Sequence, residues 1–411
     1  SDVCSSDLKF LLVISSLFVS LGAAAQGNNT LMGGNDGGVQ SIAERITKLE
    51  KKHDAFNVYV NFAGSVRAEH DSRTDEWDSK FANRQLRLEI KGTINDKLFY
   101  RLRHSLNRSA AGRSLDNFAK ATDIMMVGYN INDKFTIAGG KLAQLWGGYE
   151  FDENPIYVYE YSDIVGNMGD FMTGVMASYR PTPNHEIAVE VSNTYQEKFS
   201  ERYGETPVIV NGSKVAPLKK SNAPFVYILN WNGSMFGGVL NTRWSCGVQT
   251  QAKGKYSKMI TLGQQLNLPK FQCYFDYMGA FDDLDQLGIA TSEVMPLLNV
   301  ADDETEVNPH FGKVKYHTLT AKSDWQFAPS WNLQLKGMYG ITTVCNSELF
   351  HNYRRSYGYV GTLEYFPVKK QDFRVFLSYA GRKYNYTRRS TLTDYNTDRL
   401  ELGIIYRIKA Y

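Results

Sequence analysis

Charge in this chain is organised by spacing rather than by its sum. Arg87, Glu89 and Lys91 alternate with Leu86, Leu88 and Ile90, and Phe99, Arg101 and Arg103 alternate with Leu98, Tyr100 and Leu102. Near the other end, Arg374 with Arg382 and Arg407 with Lys409 fall on the polar rows of two further alternating runs. Arg67 does the same in the run that begins at Phe56. Cations held in such rows on one side of a sheet offer an anion a succession of weak sites that replace its hydration. The plainer reading is that a polar face always carries charge, some of it paired across strands. A second group is acidic. From Leu142 to Met172 the chain carries Glu150, Asp152, Glu153, Glu160, Asp163 and Asp170 without a Lys or Arg, interleaved with Trp146, Tyr149, Phe151, Tyr157, Tyr159 and Tyr161. So much aromatic surface favours a segment that packs inward and sets its acids against the basic rows; the alternative is an exposed loop that binds divalent ions.

The usual signs of catalysis are missing from the spacing. A nucleophile or activated water needs a base beside it. The seven His are scattered instead: His53, His104 and His185 near short connections, His70, His310 and His351 in long ones, and His317 on a strand. Asp302, Asp303, Glu304 and Glu306 are acidic but lack a spacing that compels a metal. Of four Cys, Cys4 stands in the first eight residues and Cys246, Cys273 and Cys345 make no framework. The reading therefore assigns no catalytic residue, no metal and no cofactor. The formal net charge of +3 is too slight to imply a nucleic-acid partner.

The elements that position these rows have a period of two. Phe56, Val58, Val60 and Phe62 alternate with polar residues, then come the runs at 86–90 and 98–102, the latter pair joined by a tight Asn95-Asp96 turn. Further strands are expected at 123–129, 135–141, 173–180, 186–193, 225–231, 235–245, 255–262, 270–281, 315–326, 331–342, 357–366, 373–385 and 398–409, sixteen in all. Their connections alternate. Segments 69–84, 108–122, 142–172, 194–224, 246–254, 282–314, 343–356 and 386–397 are longer than 95–96, 130–134, 181–185, 232–234, 263–269, 327–330 and 367–372. Bacterial outer-membrane barrels show this parity, with an even strand number, short periplasmic turns and long outer loops. A soluble sandwich has no reason to keep it. With 26 Tyr, 22 Phe and 34 Gly, the composition suits aromatic girdles at two interfaces. The last strand places Leu400, Leu402, Ile404, Tyr406 and Ile408 on one face, and Tyr411 falls one residue out of phase.

The amino-terminal part reads differently. Residues 1–8 fit no targeting pattern and read as a sequence-assembly or cloning scar. Residues 9–25 read as a secretory signal peptide, with an apolar run from Phe10 to Leu21 and Ala23-Ala24-Ala25 before Gln26. The run is too short for a membrane anchor. Residues 26–39 form a Gly- and Asn-rich linker. Residues 40–55 read as a short periplasmic amphipathic helix with Ile42, Ile46 and Leu49 on one face, either an ordinary helix or a coiled coil between subunits.

The segments Asn83–Leu106 and Ala121–Pro181, with "RLEIKGTINDKLFYRLRHSL" and "YNINDKFTIAGGKL", resemble the phosphate-selective porin O and P family, especially members from Bacteroidetes. The resemblance implies a homotrimer of sixteen-stranded antiparallel transmembrane β-barrels spanning 56–411, each with a loop folded into a basic, anion-favouring lumen. The sequence departs from it in one respect: family members place a basic residue at the constriction, and 142–172 holds none. The expectation is therefore an outer-membrane porin that passes small hydrophilic solutes passively, in contact with membrane lipid, with a moderate preference for anions such as phosphate. Its pore lining would be the basic rows, including Arg67 and Lys409, and its constriction Glu150, Asp152, Glu153, Glu160 and Asp163. Other readings are an occluded structural or adhesive barrel and a hydrolase with a rim site. An energised transporter would need more strands and a plug that 26–55 cannot supply.

Overall fold

The computed structural model of the chain describes residues 55–95, 97–108, 115–204, 208–298, 309–368 and 371–410. The segments read as scar, signal peptide and linker lie outside these, as do all of the expected 40–55 helix except Ala55, the Asp302–Glu306 acids and Tyr411.

Sixteen antiparallel strands close into one barrel in chain order. They are β1 (Asn57–Asp71), β2 (Glu76–Ile94), β3 (Leu98–Ser105), β4 (Thr122–Asn130), β5 (Phe135–Ala143), β6 (Phe171–Thr182), β7 (His185–Asn193) and β8 (Phe225–Met235), followed by β9 (Leu240–Ala252), β10 (Lys255–Asn267), β11 (Phe271–Leu284), β12 (Gly312–Ala328), β13 (Trp331–Val344), β14 (Arg354–Tyr365), β15 (Asp372–Tyr386) and β16 (Tyr395–Lys409). Closure is between β16 and β1, with Val60 opposite Ile408 and Ala68 opposite Leu400. A closed sheet leaves no strand edge unpaired, which hydrocarbon requires. No helix among the described residues is long and apolar enough to cross a membrane.

Alternation divides every strand between two environments. On β13, Trp331 and Leu335 face outward and are exposed while Asn332, Gln334 and Lys336 are buried on the lumen side. The outer face is greasy all round: Met125, Val127, Ile137, Val175, Val189, Leu229, Leu335, Leu377, Leu400 and Leu402 are all exposed. In water such a surface would be a liability; against lipid it is the favourable one. Aromatic pairs ring the short-turn end, with Phe135 stacked on Tyr179 at 4.5 Å, Trp331 near Tyr365 at 4.7 Å and Trp231 against Trp244 at 5.2 Å. Tyr339 and Tyr357, 5.2 Å apart, lie towards the other end.

Two of the expected long loops are not loops. Segment 69–84 is mostly strand, because β1 and β2 keep pairing up to Asp71 opposite Glu76 and turn within 72–75. Segment 246–254 is likewise the continuation of β9 and β10, turning at 253–254. Backbone pairing continues above the lipid, where alternation is no longer demanded, so the pattern fades while the strands do not. His70 is thus in β1 rather than in a loop. His104 sits at the long-loop end of β3, not near a short turn.

The remaining loops fold on themselves. Strand piece Val208–Val210 pairs with Ser213–Val215 on one side and Pro309–His310 on the other, and helix α2 (Phe199–Tyr203) stands beside them. The connection after β11 carries α3 (Ile289–Val294), whose Ile289, Ala290 and Val294 are buried in a cluster with Ile164 and Trp146 of the β5–β6 connection. That connection, which includes α1 (Asp163–Asn167), lies inside the barrel.

Candidate functional site

The β5–β6 connection enters the lumen because its side chains demand cover. Trp146, Ile156, Tyr159 and Ile164 are buried against the wall. It can approach that closely because Gly147 and Gly148 adopt φ of +67° and +73°, and a Cβ on Gly148 would lie 2.9 Å from Thr261 Cγ2 and 3.2 Å from Asp276 Oδ2. Backbone amides complete the attachment. Leu145 N–H donates to Glu190 Oε2, and both Tyr149 and Glu150 N–H donate to Asp276 Oδ2, all at 2.8 Å.

Its acids point to particular cations. Glu150 accepts from Lys336 Nζ at 2.7 Å and from Ser162 N–H and Oγ–H at 2.8 and 2.7 Å. Burial works against its charge, but Lys336 and Ser162 outweigh it and hold the carboxyl below the ordinary glutamate range. Asp152 pairs with Arg243, and Glu153 with Lys322. Glu160 meets Arg399 at 3.0 Å, and Asp163 meets Arg354 at 2.7 Å and also Arg382. For Asp163, too, burial is overcome by the two guanidiniums, and its pKa is lowered. Asp170 differs: the burial of its carboxyl outweighs the pull of Arg103 and pushes it up to about 6.

The basic rows reach the lumen as alternation requires, but they do not form a bare cationic wall. Arg101 pairs with Glu89 at 2.7 Å, and Arg407 lies 3.7 Å from the same carboxylate. Lys91 and Arg407 sit over the Tyr59 ring at 5.1 and 3.9 Å. Arg374 holds Glu364 and Asp372, each at 3.0 Å, and Arg67 lies 3.3 Å from Glu69. Lys409 is exposed at the end of β16, on the rim. Buried charges survive only when paired, so a lumen this crowded recruits its own counter-ions. The expectation set the loop acids opposite the basic rows; in the structure those acids bind cations directly, mostly ones outside the nine expected.

At one place three guanidiniums share one acid. Arg87, Arg103 and Arg108 converge on a single carboxylate, Asp123, at 3.2, 3.3 and 3.5 Å. Arg87 Nη1 and Arg103 Nε and Nη2 are buried with no hydrogen-bond acceptor among the described residues. Opposite them Phe171 lies under Arg103, 4.9 Å from its guanidinium to the ring centre.

Sequence reasoning missed Arg84, Arg243, Lys322, Lys336, Arg354 and Arg399. Lys336 was within reach, since it follows Asn332 and Gln334 on the polar row of β13, the same signal that found Arg87. Arg84 was not, because a register shift beside Ala63 and Gly64 leaves it as an extra residue on β2. It donates to the Val158 carbonyl at 2.7 Å and lies 3.4 Å from Glu401. With Arg67, Tyr161, Asp163, Glu293 and Arg382 it lines a cavity of about 610 Å³ at the long-loop mouth.

Comparison with known proteins accords with this architecture. The family model described as phosphate-selective porin O and P matches residues 56–408. No curated protein matches. Among solved structures, the outer-membrane channel DcaP of Acinetobacter baumannii is 11% identical with a TM-score of 0.59, covering 87% of this chain and 99% of its own. An anion-selective porin from Comamonas acidovorans is 9% identical, TM-score 0.53, covering 87% and 100%. OmpF of Salmonella typhi, in complex with daunomycin, is 12% identical, TM-score 0.53, covering 88% and 99%. At these identities the likeness is one of fold.

Proposed function

The chain belongs to the phosphate-selective porin O and P family, and from that premise we propose that it is a passive diffusion channel for small hydrophilic solutes with a moderate preference for anions. Family and fold indicate an outer-membrane channel rather than an enzyme. The observation that carries the anion preference is the cluster of Arg87, Arg103 and Arg108 around Asp123, where three guanidiniums share one carboxylate. Donors without acceptors on a polar wall are what a passing anion needs in place of its hydration.

Strict phosphate specificity is not part of the proposal. The inward segment supplies no cation of its own, and its acids are committed to Lys322, Lys336, Arg354, Arg382 and Arg399. The nearest thing to a filter is its return limb, where Tyr161 and Asp170 run past the arginine cluster. We place the protein in the outer membrane as a homotrimer, with the short turns and both barrel ends on the periplasmic side.

The test is conductance of the refolded barrel in a planar bilayer under a salt gradient. Current steps in triplets and an anion-selective reversal potential are expected. A folded barrel that passes no current would overturn the channel reading and favour an occluded structural barrel.

A further inference from the structure

We propose that the mouth cavity and the arginine cluster below it act as one binding site for a polyhydroxylated organic anion, a sugar-sized body bearing a single phosphate group. The proposal rests on the channel reading above and names the class of solute that the same lumen selects.

The cavity has the size for such a body: about 610 Å³ lies in the range of small-molecule sites. Its charges are already answered. Arg354 and Arg382 are held by Asp163, with Glu293 2.9 Å from Arg354 and Glu160 3.9 Å from Arg382. Arg84 has Glu401, and Arg67 has Glu69. What is left over there is of both kinds: Arg67 Nε, Arg84 Nη1, Arg354 Nε and Arg382 Nε are buried donors, and Gln85 Oε1 a buried acceptor, without hydrogen-bond partners among the described residues. All five residues line the cavity. A hydroxyl can satisfy both kinds because it donates and accepts, whereas a phosphate dianion can only accept and leaves Gln85 unanswered. Ser162, Ser292 and Asn167 add further neutral partners, and Tyr161 an aromatic face.

The cluster lies directly below. Gln85 and Arg87 stand on the lumen side of β2 two residues apart, a rise of roughly 7 Å along the strand. That lies within the length of a hexose bearing a phosphate on its terminal carbon, measured from its far ring hydroxyls to the phosphate oxygens. Below the cavity cations are in excess: Arg87, Arg103 and Arg108 against Asp123. Body and charge are thus offered separate, adjacent environments. A solute that carries both should gain from both, since linking two groups makes the second contact intramolecular.

The experiment compares glucose 6-phosphate, glucose and inorganic phosphate on the full barrel. The readouts are half-blocking concentration of single-channel current and calorimetric binding to the folded barrel in detergent. Glucose 6-phosphate is expected to bind at least about tenfold more tightly than either of the other two. Gln85→Leu should bring its affinity down towards that of phosphate, and Arg103→Gln should weaken it together with phosphate. Equal affinity for glucose 6-phosphate and phosphate would overturn the proposal by removing the mouth from the site. Equal affinity for glucose 6-phosphate and glucose would overturn it by removing the cluster. Either result leaves a conducting barrel and the channel reading intact, whereas absence of current before any solute is added strikes the channel reading itself; calorimetry then decides the site on its own.

Discussion

Asp123 is the carboxylate that three guanidiniums share, and its removal should be felt as selectivity before it is felt as anything else. Asp123→Asn keeps the shape and deletes the only carboxylate, among the described residues, within ion-pair distance of both Arg87 and Arg103. The anion-to-cation permeability ratio, read from reversal potentials, should rise about threefold, with Arg103→Gln moving it the other way. The substitution also leaves buried guanidiniums uncompensated, which costs of the order of 3 kcal/mol, so a lower urea midpoint should accompany the change. Asp170 gives a pH dependence with a definite sign. Its carboxyl is pushed up to about 6 by burial, so it is mostly ionised at pH 7 and mostly neutral at pH 5. As pH falls through 6 it stops offsetting Arg103, and anion preference should rise; in Asp170→Asn the profile should be flat over that window. The folded state takes up this proton more readily than the unfolded chain does. Its contribution to stability is therefore full below about pH 4 and is lost as pH rises through 6.

At the scale of elements, the inward segment is held by its glycines and by acids of the β7 and β11 walls. Gly148→Val places side-chain atoms where Thr261 Cγ2 and Asp276 Oδ2 already stand and asks a β-branched residue for φ near +73°. The segment should lift from the wall, loosening the barrel by about 2 kcal/mol and changing single-channel conductance. Unchanged conductance in the folded variant would show that this segment does not set the bore. The strands themselves were legible wherever lipid imposes alternation, which is why all sixteen were found from runs such as Leu86-Leu88-Ile90. They ceased to be legible above it. From Glu69 to Lys80 both faces of the β1–β2 hairpin are charged, yet Lys80 meets Glu69 at 2.9 Å across a continuing ladder. The aromatics of 142–172 were the signal for an inward segment, and Trp146 and Tyr159 are buried. Which cations its acids would choose was not: pairing Glu150 with Lys336 or Asp163 with Arg354 depends on where a segment with no regular period crosses the lumen.

For the whole molecule, the consequence of so much internal pairing is that selectivity must be weak at long range and strong only locally. The lumen wall alternates between signs within a few ångströms, as at Arg101–Glu89 and Arg374–Glu364, so its field largely cancels a Debye length away. The general anion preference should then depend on ionic strength. With the same tenfold gradient, reversal potentials centred on about 0.1 M salt should favour anions clearly, while those centred on about 1 M, where screening falls to roughly 3 Å, should approach zero. Contact binding at the buried Arg87 and Arg103 of the cluster is screened far less. Block by an anion that lodges there should persist in high salt after the bulk preference has gone. If both disappear together, the cluster acts only as part of a diffuse potential and the lumen has no discrete site. If block survives alone, the barrel combines a nearly neutral pore with one local station for negative charge, which is the arrangement its ion pairs describe.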